Sequence, residues 1–325
     1  RSTRKSNATE VQLATAFTFP GQGSQAVGMG KALAEASATA QAVFDEVDEA
    51  LGEKLSAVMF EGPEETLTLT ANAQPALMAV SVALVRVLAE RGFDLKSKVA
   101  YVAGHSLGEY SALAAAGTFS LADTARLLRI RGNAMQKAVP AGQGAMAAII
   151  GLEHPDVQGA CDAAAQGEVC QIANDNGGGQ LVISGSKGAV ERAAAIATEK
   201  GAKRAIMLPV SAPFHSALMS PAADAMREAL ANVAKHAPVV PVVSNVTVTP
   251  TSDPDEIASR LVTQVTGQVR WRETVEWFAS NGVTNLVEIG SGKVLTGLAR
   301  RISKDVSGTA INSVEDIDAF LAASA

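Results

Sequence analysis

Residues 103–112 read Ala103-Gly-His-Ser-Leu-Gly-Glu-Tyr-Ser-Ala112. The short apolar run just upstream makes 99–103 a buried strand. Residues 109–117 read as an Ala-rich helix, with Gly117 as its stop. The turn between them, Gly104-His-Ser-Leu-Gly108, fits G-x-S-x-G. In that motif a serine sits on a tight strand-to-helix turn at the edge of an α/β sheet, its hydroxyl exposed. The flanking glycines let strand and helix come close, where larger side chains would collide. Amides at the new helix start can stabilise an oxyanion. Ser106 is therefore a candidate nucleophile. A turn with an N-capping serine would give the same five letters, so the reading needs partners elsewhere.

Working outward, alternating strands and helices predict an α/β fold around a mostly parallel sheet. Residues 16–19 read as a strand followed by the glycine loop Pro20-Gly-Gln-Gly-Ser-Gln25. No Gly-Lys-Ser/Thr follows it, so a phosphate loop is not supported. A helix-rich region runs over about 30–91, with a helix at 80–90, and another helix covers 121–139. Strands at 145–150, 169–173, 180–184 and 203–210 then alternate with helices at 155–166 and 187–200. That is β-α-β-β-α-β, a ferredoxin-like order, read as an inserted small domain. Beyond it come Pro213-Phe-His-Ser216, a helix to about 234, a strand at 241–245, a helix at 271–279 and a strand at 285–289. Gly290-Ser-Gly-Lys-Val-Leu-Thr-Gly297 opens a last helix. The expected division is a polar arm over 1–15, disordered or a vector-derived remnant, then a large hydrolase-like domain over 16–140 and 211–325. The small domain is 141–210.

The 325 residues are 47% hydrophobic and 18% charged, which fits a substantial globular core. Net charge is −6, so broad nucleic-acid binding is not expected. No apolar run is read as membrane-spanning and no signal peptide is recognised, so a membrane role is not expected and the cytoplasm is the expected compartment. Two cysteines, Cys161 and Cys170, are too few for a disulfide scaffold and lack metal-ligand neighbours.

A serine nucleophile needs a base, and the chain has four histidines. His105 adjoins Ser106 on a sharp turn, where consecutive side chains point apart. His154 precedes a proline at a surface turn, and His236 is read at a helix C-terminus, where dipole attraction explains it. His215 follows a strand end and opens a helix, the place where α/β sheets build their sites. It is the candidate base; a helix-start histidine with a local hydrogen bond is the alternative. No acid between Ser106 and His215 has a clear third-member signature; Asp123, Asp156, Asp162 and Asp175 are each possible. Arg131 is the other unusual residue. Leu127, Leu128, Ala134, Met135 and Ala138 cluster around it on a helical wheel. A guanidinium in an apolar stripe should meet a carboxylate, either the protein's own or a substrate's.

Together these pieces resemble the malonyl-CoA:acyl carrier protein transacylases of type II fatty acid synthesis. The matching stretches are Gly21-Gln-Gly-Ser-Gln25, Gln74-Pro-Ala-Leu77, residues 104–112, Arg129-Ile-Arg-Gly132, Leu208-Pro-Val-Ser-Ala-Pro-Phe-His-Ser216 and Glu288-Ile-Gly-Ser-Gly-Lys-Val-Leu-Thr-Gly297. The resemblance implies Ser106 as the acylated serine and His215 as its base, oriented by the carbonyl of Gln264 instead of an acid. It implies an oxyanion hole from the Gln22 and Leu107 amides, and Arg131 as the clamp for the malonyl carboxylate. His105 and Phe214 would border the substrate. The implied partners are malonyl-CoA and acyl carrier protein, with no metal or resident cofactor and a monomeric chain. An acidic carrier would need a local basic patch, for which Lys203-Arg204 and Arg300-Arg301 are candidates. Gln268 stands where the family often has proline, which bears on the Gln264 loop. A thioesterase on the same fold, a non-catalytic binding protein and a polyketide carrier are the rival readings.

Overall fold

The computed structural model describes residues 14–210 and 212–324. Most of the arm read over 1–15 lies outside the described residues. Its last two residues do not behave as an arm: the Ala14 carbonyl accepts from Thr284 and Asn285 amides, and Thr15 opens the first strand.

Among the described residues, ten strands form two sheets. In chain order they are β1 (Thr15–Phe19), β2 (Tyr101–Gly104), β3 (Gly144–Ile150), β4 (Cys170–Asp175), β5 (Gln180–Ser186), β6 (Arg204–Met207), β7 (Val242–Val243), β8 (Pro250–Thr251), β9 (Asn285–Ile289) and β10 (Ser307–Ile311). The larger sheet runs β10-β9-β1-β2-β7-β8 and is parallel except for the β7–β8 pair. β1 is buried on both faces, as a parallel strand covered by helices must be. The smaller sheet runs β4-β5-β3-β6, every pair antiparallel. Helices His154–Ala165 and Lys187–Glu199 cover it and close a core of its own around Ile149, Val157, Ile183 and Val190. The two free cysteines are buried in that second core. The small sheet meets the segment before helix Trp271–Ser280 where Val269 donates to Ala173 (2.8 Å) and Asp175 donates back to Val269 (3.0 Å).

Several elements differ from the sequence reading. Residues 70–90 form one helix, Thr70–Glu90, long and apolar enough to cross a membrane, against the expectation that no run reached that length. Fully 78% of that apolar window is buried among the protein's other elements, so burial in the core accounts for its composition. Pro75 sits inside this helix. Proline removes one backbone donor, which frees the Ala71 carbonyl, and Arg129 Nη1 takes that place at 2.6 Å. The strand read over 241–245 is only β7, because Ser244 and Asn245 leave the ladder for the site. Helix Pro254–Thr266 was not read as a helix. Asp253 caps it, and Ile257, Leu261, Gln264 and Val265 make its buried face. Gln264 is therefore on a final helical turn, not in a loop. β8, β10 and the helix Val314–Ala323 were also unread; β10 is an edge strand with little buried surface to mark it. His236 lies beyond the end of helix Ser220–Ala231, not in its last turn, and donates its amide to the Thr118 carbonyl.

Candidate active site

β2 ends at Gly104, and helix Gly108–Ala115 begins two residues after Ser106. Both glycines are fixed by contact. A Cβ on Gly104 would lie 1.9 Å from the Gly108 carbonyl oxygen, and one on Gly108 would lie 2.2 Å from the Phe19 oxygen. Ser106 itself takes φ of 55°, left-handed backbone that costs a non-glycine residue about 1–3 kcal/mol. That conformation turns its side chain out of the sheet edge.

His215 also has φ of 55°, in the turn between the small sheet and the helix after it. Its Nε2 lies 2.7 Å from Ser106 Oγ. Its Nδ1 faces two carbonyls, Gln264 at 2.9 Å and Gly267 at 3.1 Å. Carbonyls only accept, so Nδ1 carries the proton and Nε2 presents the lone pair to the serine hydroxyl. The absent third acid is thus answered by two main-chain oxygens. Burial first, and the Arg131 charge second, push the His215 pKa down to about 3. The ring is a neutral base across ordinary pH.

Arg131 is 1% exposed and makes no ion pair with any carboxylate among the described residues. Nη1 donates to Gln74 Oε1 at 2.7 Å. Nη2 donates to Gln264 Oε1 at 2.8 Å and to Ser106 Oγ at 3.2 Å. The guanidinium also lies 5.5 Å from the centre of the Tyr110 ring. Of the two partners the wheel allowed, an internal carboxylate is not there. Arg126 and Arg129, on the other side of the same helix, do pair with Asp123 and Glu53.

These groups share a cavity of about 400 Å³ lined by Gln22, His105, Ser106, Leu107, Arg131 and His215. Phe214 is part of the same wall, with Met146, Asn174, Asn176, Val182 and Leu208 from the small sheet and its flanks. Neither the Gln22 nor the Leu107 amide donates to a protein group among the described residues. Leu107 precedes the first turn of helix Gly108–Ala115, where backbone partial charge is positive. His105 Nε2 donates to Asn176 Oδ1 at 2.8 Å, its ring 5.7 Å from that of Trp271, and burial lowers its pKa. No cluster of three His, Cys, Asp or Glu that could hold a metal occurs among the described residues.

Five residues without an assigned role in the sequence reading also belong to this neighbourhood: Gln74, Glu109, Asn176, Asn245 and Gly267. Gln74 and Glu109 carried a signal, as polar side chains on apolar helical faces. Asn176 stood in a recognised loop. Asn245 and Gly267 had none, because what matters is a fold contact and a main-chain oxygen.

The chain matches the acyl transferase domain family model over residues 16–315. It is 48% identical over 306 residues to the malonyl CoA-acyl carrier protein transacylase of Escherichia coli (strain K12), covering 94% of this chain and 98% of that one. The corresponding Bacillus subtilis (strain 168) protein is 46% identical over 304 residues, 93% and 95% of the two chains. The crystal structure of an acyl-carrier-protein-S-malonyltransferase from Bartonella henselae superposes with a TM-score of 0.94 at 64% identity, over 96% of this chain and 99% of that one. A malonyl-transacylase in complex with its type II polyketide acyl-carrier protein superposes with a TM-score of 0.92 at 45% identity, over 95% and 99%.

Proposed function

This chain belongs to the acyl transferase domain family, and from that premise we propose how its cavity works. The enzyme transfers the malonyl group of malonyl-CoA to the phosphopantetheine thiol of acyl carrier protein through a malonyl-serine intermediate. The observation that carries this reading is one hydroxyl, Ser106 Oγ, within 2.7 Å of a neutral histidine nitrogen and 3.2 Å of an arginine with no carboxylate partner.

Malonyl-CoA enters with its carboxylate on Arg131, where a planar guanidinium can bind it through two parallel hydrogen bonds. His215 Nε2 takes the hydroxyl proton as Oγ attacks the thioester carbon. The negative oxygen of the tetrahedral intermediate rests on the Gln22 and Leu107 amides, each donor contributing about 3–4 kcal/mol by analogy with other acyl transfers. The intermediate collapses, the C–S bond breaks, and the proton on His215 passes to the CoA sulfur. The carrier thiol then enters, His215 takes its proton, and the same steps run in reverse. No step calls for a metal or a resident cofactor. His105 and Phe214 shape the wall beside the acyl group. Acetyl would leave the buried arginine without a countercharge, which favours malonyl.

The finer architecture is part of the same proposal. The parallel sheet with its serine turn supports a hydrolase-like domain over 16–140 and 211–325. The order β4-β5-β3-β6 supports a ferredoxin-like small domain over 141–210. A monomer in the cytoplasm is the simplest assembly and compartment for it. The exposed pairs Lys203-Arg204 and Arg300-Arg301 support carrier docking. Lys203 packs at Gly151 and Arg301 at Gly178, and Gly151 donates to Gly179 at 2.8 Å. Both basic pairs therefore flank the 177–179 turn, next to the cavity residue Asn176.

The direct test is intact mass after mixing with malonyl-CoA. One malonyl group at Ser106 is expected, with far less adduct from acetyl-CoA. Because His215 is held near 3, activity in kcat/KM should persist below pH 6.5, the ordinary histidine value of about 6.5 notwithstanding. A profile that bends at 6.5 would contradict the burial argument.

A further inference from the structure

Ser106 is held from behind as well as from the front. Its backbone N–H donates to Asn245 Oδ1 at 2.8 Å, and its carbonyl accepts from Gln264 Nε2 at 2.9 Å. Asn245 Nδ2 donates to the Gly104 carbonyl at 2.6 Å, two residues before the nucleophile. Asn245 is in turn fixed by its own backbone. Its N–H donates to Glu109 Oε1 at 2.7 Å, and its carbonyl accepts from the Arg270 amide at 3.2 Å. Glu109 stands three residues after the nucleophile, on the helix that the serine turn opens. The contacts close a ring: Gly104 and Ser106 to the Asn245 side chain, Asn245 main chain to Glu109, and Glu109 back through the helix to Ser106. Asn245 and Glu109 are 0% and 2% exposed.

From this ring we infer that Asn245, locked by Glu109, is a positioning residue that holds the left-handed Ser106 turn in its reactive geometry. The inference rests on the malonyl-serine reading above. Left-handed backbone at a non-glycine residue persists only where surroundings over-determine it. Here one amide side chain spans both ends of the turn, with its oxygen on the Ser106 amide and its nitrogen on the Gly104 carbonyl. Released from it, Ser106 relaxes toward ordinary φ, and Oγ leaves the 2.7 Å contact with His215. Neither Asn245 nor Glu109 lines the cavity, so their loss acts on the rate of attack and leaves substrate binding in place. Glu109 serves as a hydrogen-bond acceptor for this purpose. Burial raises its pKa to about 7, which agrees with a carboxyl used for its oxygen and not for a full charge.

The test is rapid-quench mass spectrometry of Ser106 malonylation by malonyl-CoA, with a melting curve for each variant. The parent protein must first take up one malonyl group; if it does not, the functional reading fails before this one is reached. For Asn245→Ala, the expected result is full final labelling, an acylation rate constant down about 100-fold, and KM for malonyl-CoA within about threefold of the parent. Labelling at the parent rate, whether complete or limited to an active fraction, would overturn the inference. Glu109 gives a second test that stands even where Asn245→Ala does not fold. Glu109→Ala should slow acylation about tenfold, and Glu109→Gln, which keeps the acceptor oxygen, should restore most of it. Equal loss in both Glu109 variants, or no loss in either, would also overturn it.

Discussion

The two sheets contribute unequally to one cavity. The parallel sheet and its helices provide the Ser106 hydroxyl, the two carbonyls that face His215 and the arginine, all joined by hydrogen bonds of 2.7 to 3.2 Å. The antiparallel sheet provides a wall: Met146, Val182, Leu208 and two asparagines. The difference follows from how each sheet is made. Parallel strands end at one edge, and their following turns open helices there, so side chains from distant parts of the chain converge. Antiparallel strands return on themselves, bury their own core and offer a face. Chemistry should therefore fail when the first region is altered, and fit or docking when the second is.

The largest expected effect is complete. Ser106→Ala should take up no malonyl group by intact mass, and an adduct that persists would move the nucleophile elsewhere. His215→Ala comes next, with transfer down about 10²- to 10⁴-fold in a coupled assay, while His154→Ala and His236→Ala stay near the parent. Arg131→Ala follows: malonyl transfer should fall by the roughly 3–5 kcal/mol typical of breaking a buried ion pair. Acetyl transfer should hold or rise, and Arg131→Lys should recover little, for want of a planar fork. Equal loss on both acyl groups, with a lowered melting temperature, would make Arg131 a structural residue. In the other region, Asn176→Ala frees the His105 ring in the cavity wall, and a rise in KM of a few-fold with kcat held is expected from the looser fit. A kcat collapse there would break the division between the sheets. The smallest effect belongs to the rim. Lys203→Glu with Arg301→Glu should raise KM for the carrier a few-fold, most at low salt, and leave Ser106 malonylation unchanged.

How far the sequence reaches also differs between the regions. The small sheet was legible almost strand by strand, because its antiparallel order is written in short apolar runs separated by turns. The serine turn was legible because two glycines are demanded by contacts of 1.9 and 2.2 Å that no other residue tolerates. Arg131 stood out because a charge in an apolar stripe contradicts its surroundings. Gln264 came from resemblance, and its helix was unread because Val262-Thr-Gln-Val-Thr266 is rich in β-branched residues and only a few apolar residues mark its buried face. β7 is two residues long, too short to separate from the loop that follows. Asn245 was unread because an asparagine after a strand looks like turn chemistry. Only the fold brings it across to a residue far back in the chain.

The Arg131 charge also acts on its histidine neighbour. It is the second cause, after burial, of the weak basicity of His215. On the proposed binding mode, a malonyl carboxylate seated on the guanidinium offsets that charge, and His215 is expected to regain proton affinity when that substrate arrives. An acyl group with no carboxylate leaves it weak. On that reading the site works as a coincidence detector, in which the anion at one end of the acyl group arms the base at the other. Its signature is a separation between two acid limbs. The limb in kcat, which reports the malonyl complex, should lie above the limb in kcat/KM, which reports the free enzyme. In Arg131→Ala the two limbs should come together.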